Sequence, residues 1–412
     1  MVAYHFPPLA GSSGIQRTLR FVQQLPAGGW SPVVLSAHPR AYERTTDDLL
    51  DDVPPGTEVH RAFALDAARH LSLFGRYPGV LARPDRWMVW QFDAVRQGLK
   101  LIRRHRIDAI WSTYPVATAH CIGSALQRRS GLPWIADFRD PMAQDGYPAD
   151  RKVWQAFSDI EASAMRQASR CCFTTPSSVA TYRQRYPAAA ERISLLENGF
   201  DESAFVAAEA RRPQRRSLTD GCVTLLHSGI VYPAERDPTA LIGALALLRQ
   251  RAPADALRLR IRFRAAVHDG LLRALAEQHG VLDMIELCPP VGYVDALSEM
   301  LDADALLVMQ ARNCNEQIPA KIYEYLRAGR PIVCLSDADG DTWDVLRRAG
   351  LSRMAALDDS EQIAALLARA LAGDADGLCP APDRVPQASR AARTASLAEW
   401  LTSALPSTKA RP

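Results

Sequence analysis

The feature that most limits how this chain can fold is a repeated alternation. Short apolar runs, four to seven residues long, are separated by stretches of helical period. MVAY, SPVVLS, DAIWST, PWIADF, RCCFTT and ISLLEN fill the first half, and CVTLLHS, LRLRIRF, MIELC, ALLVM and PIVCL the second. Such runs predict strands, and helices between consecutive strands predict parallel pairing, because a parallel crossover must span the length of the sheet. Helices then cover both faces, giving an α/β, doubly wound architecture. Between the two sets, Val206–Gly221 (VAAEARRPQRRSLTDG) has few large apolar residues and many arginines, as a linker would. The expected organisation is an N-terminal Rossmann-like domain over 1–205, a linker over 206–221 and a C-terminal Rossmann-like domain over 222–384. A terminal helix over 385–406 would pack back on the first domain. The brevity of MVAY suggests that a few residues precede the printed start.

With 412 residues the chain has length enough for two or three domains, each able to bury its own core. A net charge of +3, with no basic run interleaved with aromatics, argues against a nucleic-acid partner. None of the eight cysteines forms a C-x-x-C pair, and most fall within apolar runs, so they read as buried thiols of a reducing compartment. The longest stretch without Lys, Arg, Asp or Glu, Ala109–Gln127, contains a proline, a histidine and several hydroxyls and is a poor bilayer span. A cytoplasmic location is expected.

The segment Asn315–Leu335, NEQIPAKIYEYLRAGRPIVCL, concentrates the chemistry. Pro319 suits the first turn of a helix and Gly329 suits its end. The start of such a helix offers unpaired N–H groups and a positive dipole end, around Pro319 and Ala320, that can hold a phosphate. Glu324 would stand about 7.5 Å further along the axis, at 1.5 Å per residue, near the distance from a diphosphate to its ribose. Glu316, before the helix, would then face a sugar on the far side of the diphosphate. The plain alternative is that both glutamates are solvated helix-end charges.

The same run resembles the E-x7-E signature of retaining GT-B glycosyltransferases of family 4, with Glu316, Pro319, Lys321, Glu324, Gly329 and Pro331 in matching positions. Other segments are similar to that family in the same order. HFPPLAGSSGIQR resembles its N-terminal glycine loop, ADFRDPM the DFRDPW of a bacterial polysaccharide-type subgroup, ENGFD its PNGVD, and HSGIVYPAERDP the loop that opens its second domain. The resemblance implies two facing Rossmann-like domains with a C-terminal crossover helix, and a nucleotide-diphosphate sugar as donor. It also implies a glycan or polyprenyl-linked acceptor and same-face substitution in which the departing phosphate takes the acceptor proton. It implies no metal and no cofactor. A GT-B epimerase and a non-catalytic glycan-binding subunit are the rival readings.

Carried over residue by residue, the resemblance assigns Arg236, beyond Gly229, to the charge that grows on the leaving diphosphate, and Glu324 to the ribose. Ile230 stands where the family usually supplies a first cation, and Lys321 is the candidate substitute. Arg139 replaces a histidine common in relatives, and Arg264 replaces a common glycine, so it either reaches the nucleotide or marks a rebuilt loop. Gly11 and Gly14 form the glycine loop, with Arg17 aimed at the cleft or at solvent. His120 and Asp140 fall on the acceptor side. For His120 a core position, and for Arg139 with Asp140 a structural ion pair, are the alternatives. Between Arg76 and Arg106, eight Lys or Arg accompany two Asp, with Trp87, Trp90 and Phe92 interspersed. That segment is either a packed helix with a basic outer face or one that rests on an anionic membrane surface.

Overall fold

The computed structural model describes residues 1–12, 14–74, 76–211 and 214–406. The chain divides into two compact units, Met1–Glu197 with Arg393–Pro412, and Asn198–Ala392. Each is built on a parallel sheet.

In the N-terminal unit the strands are β1 (Val33–Ala37), β2 (Glu58–Ala62), β3 (Ile110–Thr113), β4 (Trp134–Arg139), β5 (Arg170–Phe173) and β6 (Ile193–Leu195). β1 pairs with β2, and β3 through β6 pair in sequence, all in parallel. The expected strand MVAY is reduced to a bridge at Val2, which joins Leu35 of β1 to Ser112 of β3 and so unites the two sets. Only one residue of that run has a partner on both sides. β2 was not legible, because EVHRA alternates polar residues on a half-exposed edge and lacks an apolar run.

In the C-terminal unit β7 (Val223–Ser228), β8 (Leu259–Arg264), β9 (Ile285–Cys288), β10 (Ala305–Met309) and β11 (Ile332–Leu335) form one parallel sheet in the order β11-β10-β7-β8-β9. The order reverses between β7 and β10. Loops that leave neighbouring strands at such a point diverge to opposite faces and open a crevice at the carboxyl ends. The N-terminal unit has its own reversal between the Val2 segment and β3.

Three expectations need correction here. Val206–Gly221 is not a linker over its length: the helix Glu202–Arg211 packs Ala204, Phe205 and Ala208 into the second unit, and the division falls at residue 197 instead. Phe205 and the small alanines supply an apolar face that the arginine-rich composition hid. Arg212 and Pro213 lie outside the described residues. The helix after Pro319 runs Lys321–Ala328, so proline precedes it by a turn-like step in which Ile322 N–H donates to Pro319 O and Tyr323 N–H to Ala320 O. Finally, the aromatics of the 76–106 segment do not form an outward stripe. Trp90 is fully buried, Trp87 packs on the Tyr4 ring, and Phe92 alone of the three is exposed.

The last helix, Arg390–Ser403, sets Leu397, Ala398 and Leu401 against Phe21, Trp111 and Ile135 of the first unit. No helix among the described residues is long and apolar enough to cross a membrane.

A buried ion pair ties the first unit together. Arg17 grips both oxygens of Asp137 at 2.8 and 3.0 Å and donates to the Leu196 and Glu197 carbonyls. Removing one partner leaves a buried charge uncompensated. Arg17→Met is expected to destabilise the N-terminal unit by about 3–5 kcal/mol, read as a lowered urea midpoint.

Candidate functional site

In the second unit the two loops that flank the β7/β10 reversal carry the residues that the sequence singles out. β7 ends in His227 and Ser228, and the chain then turns through Gly229 at φ +115°, a backbone angle that only glycine adopts without strain. Ser228 N–H donates to the Tyr325 hydroxyl, and Gly229 N–H to Arg264 O, which pins the loop to the helix Lys321–Ala328 and to β8.

Lys321 opens that helix. Its Nζ lies 2.9 Å from Nε2 of His227, whose Nδ1 donates to Leu307 O at 3.0 Å. The carbonyl therefore fixes the tautomer and leaves Nε2 as the acceptor for the lysine. Burial, reinforced by the charge of Arg236, holds Lys321 well below the usual lysine range. Burial and then the Lys321 charge keep His227 neutral. Arg236 donates from Nη1 to Ile230 O at 3.0 Å and lies over the Tyr232 ring at 5.2 Å, while its buried Nε has no acceptor. Among the described residues neither Lys321 nor Arg236 meets a carboxylate at ion-pair distance. The N–H groups of Ala320 and Lys321 likewise donate to no acceptor there. Two cations and a helix start thus converge, with Arg236 Nε and the N–H groups of Ala320 and Lys321 unspent, a donor set suited to a phosphate.

Glu324 sits one turn beyond Lys321. It accepts a hydrogen bond from the Tyr293 hydroxyl at 2.8 Å, and burial raises its carboxyl above the usual range against the pull of Tyr293, Arg390 and Lys321. Glu316 is exposed and has no side-chain partner among the described residues, so the two glutamates are not joined in one network. Pro319 is half-buried and Ala320 exposed at the mouth of the helix. Gly329 closes it at φ +66°, as expected. Of the two readings open for Arg264, the structure shows the rebuilt loop. Glu299 holds it at 2.6 and 2.8 Å and Pro289 O accepts from it at 2.6 Å, so it is not an unpaired cation. The loop beyond it is rebuilt, with Ala265 and Val267 at φ +57° and +69°.

In the first unit the glycine loop encloses His5, which the sequence reading passed over. Ser12 Oγ lies 3.0 Å from His5 Nδ1, and a Cβ on Gly14 would stand 2.5 Å from that nitrogen and 2.7 Å from Arg139 Nη1. Only glycine fits. Gly11, exposed at φ +78°, makes the preceding turn. Arg139 itself is left-handed at φ +63°, where a register shift ends β4. It has no ion pair with Asp140, which is exposed; Tyr114 O accepts from it at 3.4 Å. Burial depresses the arginine, and burial with the Arg139 charge pushes His5 down to about 4.

Two residues leave the acceptor side. Arg17 points neither to a cleft nor to solvent but into the core, against Asp137, because a carboxylate on β4 faces the helix Gly14–Gln24. His120 is fully buried between Phe138 and Trp134, with Nδ1 2.8 Å from Ser112 Oγ, and burial lowers it to about 4. It is a core histidine. His227, Tyr293 and His5 were missed. The available signal for His227 and His5 was a polar residue at the end of an apolar run just before a glycine loop. Tyr293 had none in sequence, since its contact with Glu324 spans thirty-one residues.

Among the described residues one cluster can offer three metal ligands, Glu58, His60 and His105, and it belongs to the first unit.

Residues 13–199 match the model of the glycosyl transferase 4-like domain. No curated protein matches the chain at a significant level. Solved structures match over nearly the whole length. Anabaena Alr3699/HepE in complex with UDP-glucose superposes with a TM-score of 0.63 at 15% identity, covering 98% of this chain and 99% of that one. The α,α-trehalose 6-phosphate synthase of Burkholderia multivorans gives 0.62 at 12% identity, over 98% and 97%. WaaG, a glycosyltransferase involved in lipopolysaccharide biosynthesis, gives 0.54 at 15%, over 97% and 95%. The fold is that of the GT-B glycosyltransferases.

A depressed lysine at a helix start has a measurable consequence for anion binding. A bound diphosphate stabilises the ammonium and raises its pKa, so binding takes up part of a proton wherever the pH lies between the free and bound values, and weakens as pH rises through that window. Calorimetric titration of the chain with UDP in buffers of different ionisation enthalpy is expected to show this uptake, and Lys321→Met to remove it.

Proposed function

We propose that the protein is a retaining glycosyltransferase that moves a sugar from a nucleoside-diphosphate donor to a glycan or lipid-linked acceptor in bacterial polysaccharide assembly. One observation carries the reading: Arg236 and Lys321 approach the start of the helix Lys321–Ala328 without a carboxylate between them, and Glu324 stands one turn beyond. A diphosphate would accept from the N–H groups of Ala320 and Lys321, from Lys321 Nζ and from Arg236. Glu324, already held by Tyr293, would accept the ribose hydroxyls. Lys321 would supply the cation that Ile230 does not.

In the reaction the bond from the anomeric carbon to the diphosphate oxygen breaks, and the acceptor oxygen bonds to that carbon on the same face. The acceptor proton passes to the departing phosphate. Negative charge accumulates on the diphosphate as the bond lengthens, which is where the fixed Arg236 charge acts most strongly. Glu316, solvent-facing, is proposed for a hydroxyl of the transferred sugar. Gly11, Gly14, Arg139 and Asp140 are proposed for the acceptor side. The UDP-glucose complex of HepE makes uridine donors the first to test. The lipopolysaccharide role of WaaG supports a glycan or glycolipid acceptor.

Two outcomes are expected. Arg236→Ala should lower kcat by about 10²–10³-fold, as loss of one donor to a developing charge does. Glu324→Ala should abolish transfer while the circular dichroism spectrum stays unchanged. Rates near wild type would refute the assignment, and donor binding without any turnover in the parent chain would mark a non-catalytic subunit. Proton NMR of the product should show the donor's anomeric configuration retained.

Contact with an anionic membrane is also proposed. Leu73, Phe74, Val80 and Phe92 are 73%, 97%, 60% and 69% exposed, close in sequence to Arg76, Arg83 and Arg96. Co-sedimentation with anionic vesicles should exceed that with zwitterionic ones and fall in a Leu73→Ser, Phe74→Ser double variant.

A further inference from the structure

We infer that Glu58, His60 and His105 form a structural site for a late first-row divalent cation, of which zinc is the representative. Glu58 and His60 are two residues apart on β2, so both side chains project from one face of the strand. His105 is the C-terminal cap of the helix Trp90–Arg104, which packs along β2 and β1. The three donor atoms all lie within 4.8 Å of one another.

The spacing fits a metal. Glu58 Oε2 is 3.2 Å from His60 Nε2 and 3.1 Å from His105 Nε2. Ligands held at about 2.1 Å around a tetrahedral ion stand about 3.4 Å apart. His60 Nε2 lies in hydrogen-bond geometry with Glu58 Oε2, whereas His105 does not, and that difference carries the inference. His105 Nε2 is buried and makes no hydrogen bond, although the carboxylate oxygen is only 3.1 Å away. That nitrogen is thus left without a partner although it lies within 4.8 Å of both other donors. The His60 and His105 rings are 6.0 Å apart at 55°, so each can aim a nitrogen at a common point without stacking.

The ligand chemistry selects the ion. Two imidazoles and one carboxylate suit zinc and its neighbours, whereas magnesium and calcium require oxygen ligands. A water would complete four-coordination. The role follows from position. Glu58 begins β2, and His105 lies ahead of β3, so the cluster stands at the amino ends of the strands, on the edge of the sheet opposite the glycine loop. An ion there cannot reach the loop that carries His5 and Gly14. It would instead clamp β2, a polar edge strand, to the helix Trp90–Arg104. The inference does not depend on the glycosyltransferase reading.

The test uses the full chain without an affinity tag, stripped with a chelator and titrated calorimetrically with zinc chloride and, separately, magnesium chloride. Expected are one strong equivalent of zinc, no magnesium binding, and a higher unfolding temperature with zinc. His105→Ala should weaken zinc binding by more than the ~10–100-fold that loss of an outer partner costs. Glu58→Gln, at an exposed position that folding does not require, should weaken it as well and guards against a variant that fails to fold. Absence of zinc binding would overturn the proposal. So would an equivalent retained in both variants, which would assign the ion to the partly exposed thiols of Cys222, Cys288 or Cys379.

Discussion

Two cations brought together with no carboxylate between them raise the energy of a folded protein, and that repulsion organises the C-terminal unit. Lys321 is buried, and both its burial and Arg236 disfavour its charge. The fold meets this partly by giving the lysine a neutral imidazole to lean on. His227 is held in one tautomer by Leu307 O, and β7 and β10 must be adjacent for that bond to form. The parallel sheet, its reversal between β7 and β10, and the glycine turn at 229 are thus all conditions for bringing His227, Lys321 and Arg236 together. On β8, by contrast, Glu299 holds both Arg262 and Arg264.

The same contrast divides the arginines of the N-terminal unit. Arg17 is locked by two carboxylate oxygens and two carbonyls, and it joins the helix Gly14–Gln24 to β4 and to the end of β6. Arg139, two residues beyond Asp137, gains no such partner. It adopts a left-handed backbone that costs about 1–3 kcal/mol and crowds against a glycine that cannot be replaced. One arginine keeps the unit folded, and the other is kept available. Burial depresses the guanidinium, and His5 is lowered first by its own burial and then by the Arg139 charge.

Both units place glycine loops where the strand order reverses, and both put a histidine in the segment that leads into the loop. His5 contacts Ser12 across the first loop, and His227 contacts Lys321 across the second. Neither ring is charged under the burial it experiences. Their shared service is to hold a neighbour in position through a fixed lone pair, which a charged or flexible residue would do less well. The metal-ligand trio at the amino ends of the first sheet stands apart from this plan and reinforces the polar start of an edge strand.

Alternation of apolar runs with helical segments determined the two parallel sheets, because parallel strands cannot be joined without crossovers and each crossover writes its period into the chain. Ten of the eleven strand positions carry an apolar run, and β2 escaped because an edge strand need not be apolar. Glycine and proline likewise determined the bounds of the Lys321–Ala328 segment to within two residues, since backbone angles are local. What sequence could not decide is where each charged side chain spends its charge. Arg17, Arg139, Arg236 and Arg264 look alike in a string of letters, yet two are neutralised by carboxylates and two are not. The partner of Arg17 lies 120 residues away and that of Arg264 lies 35 away. Pairing depends on which strands become neighbours and which faces they turn inward, and only the packed tertiary structure sets those distances.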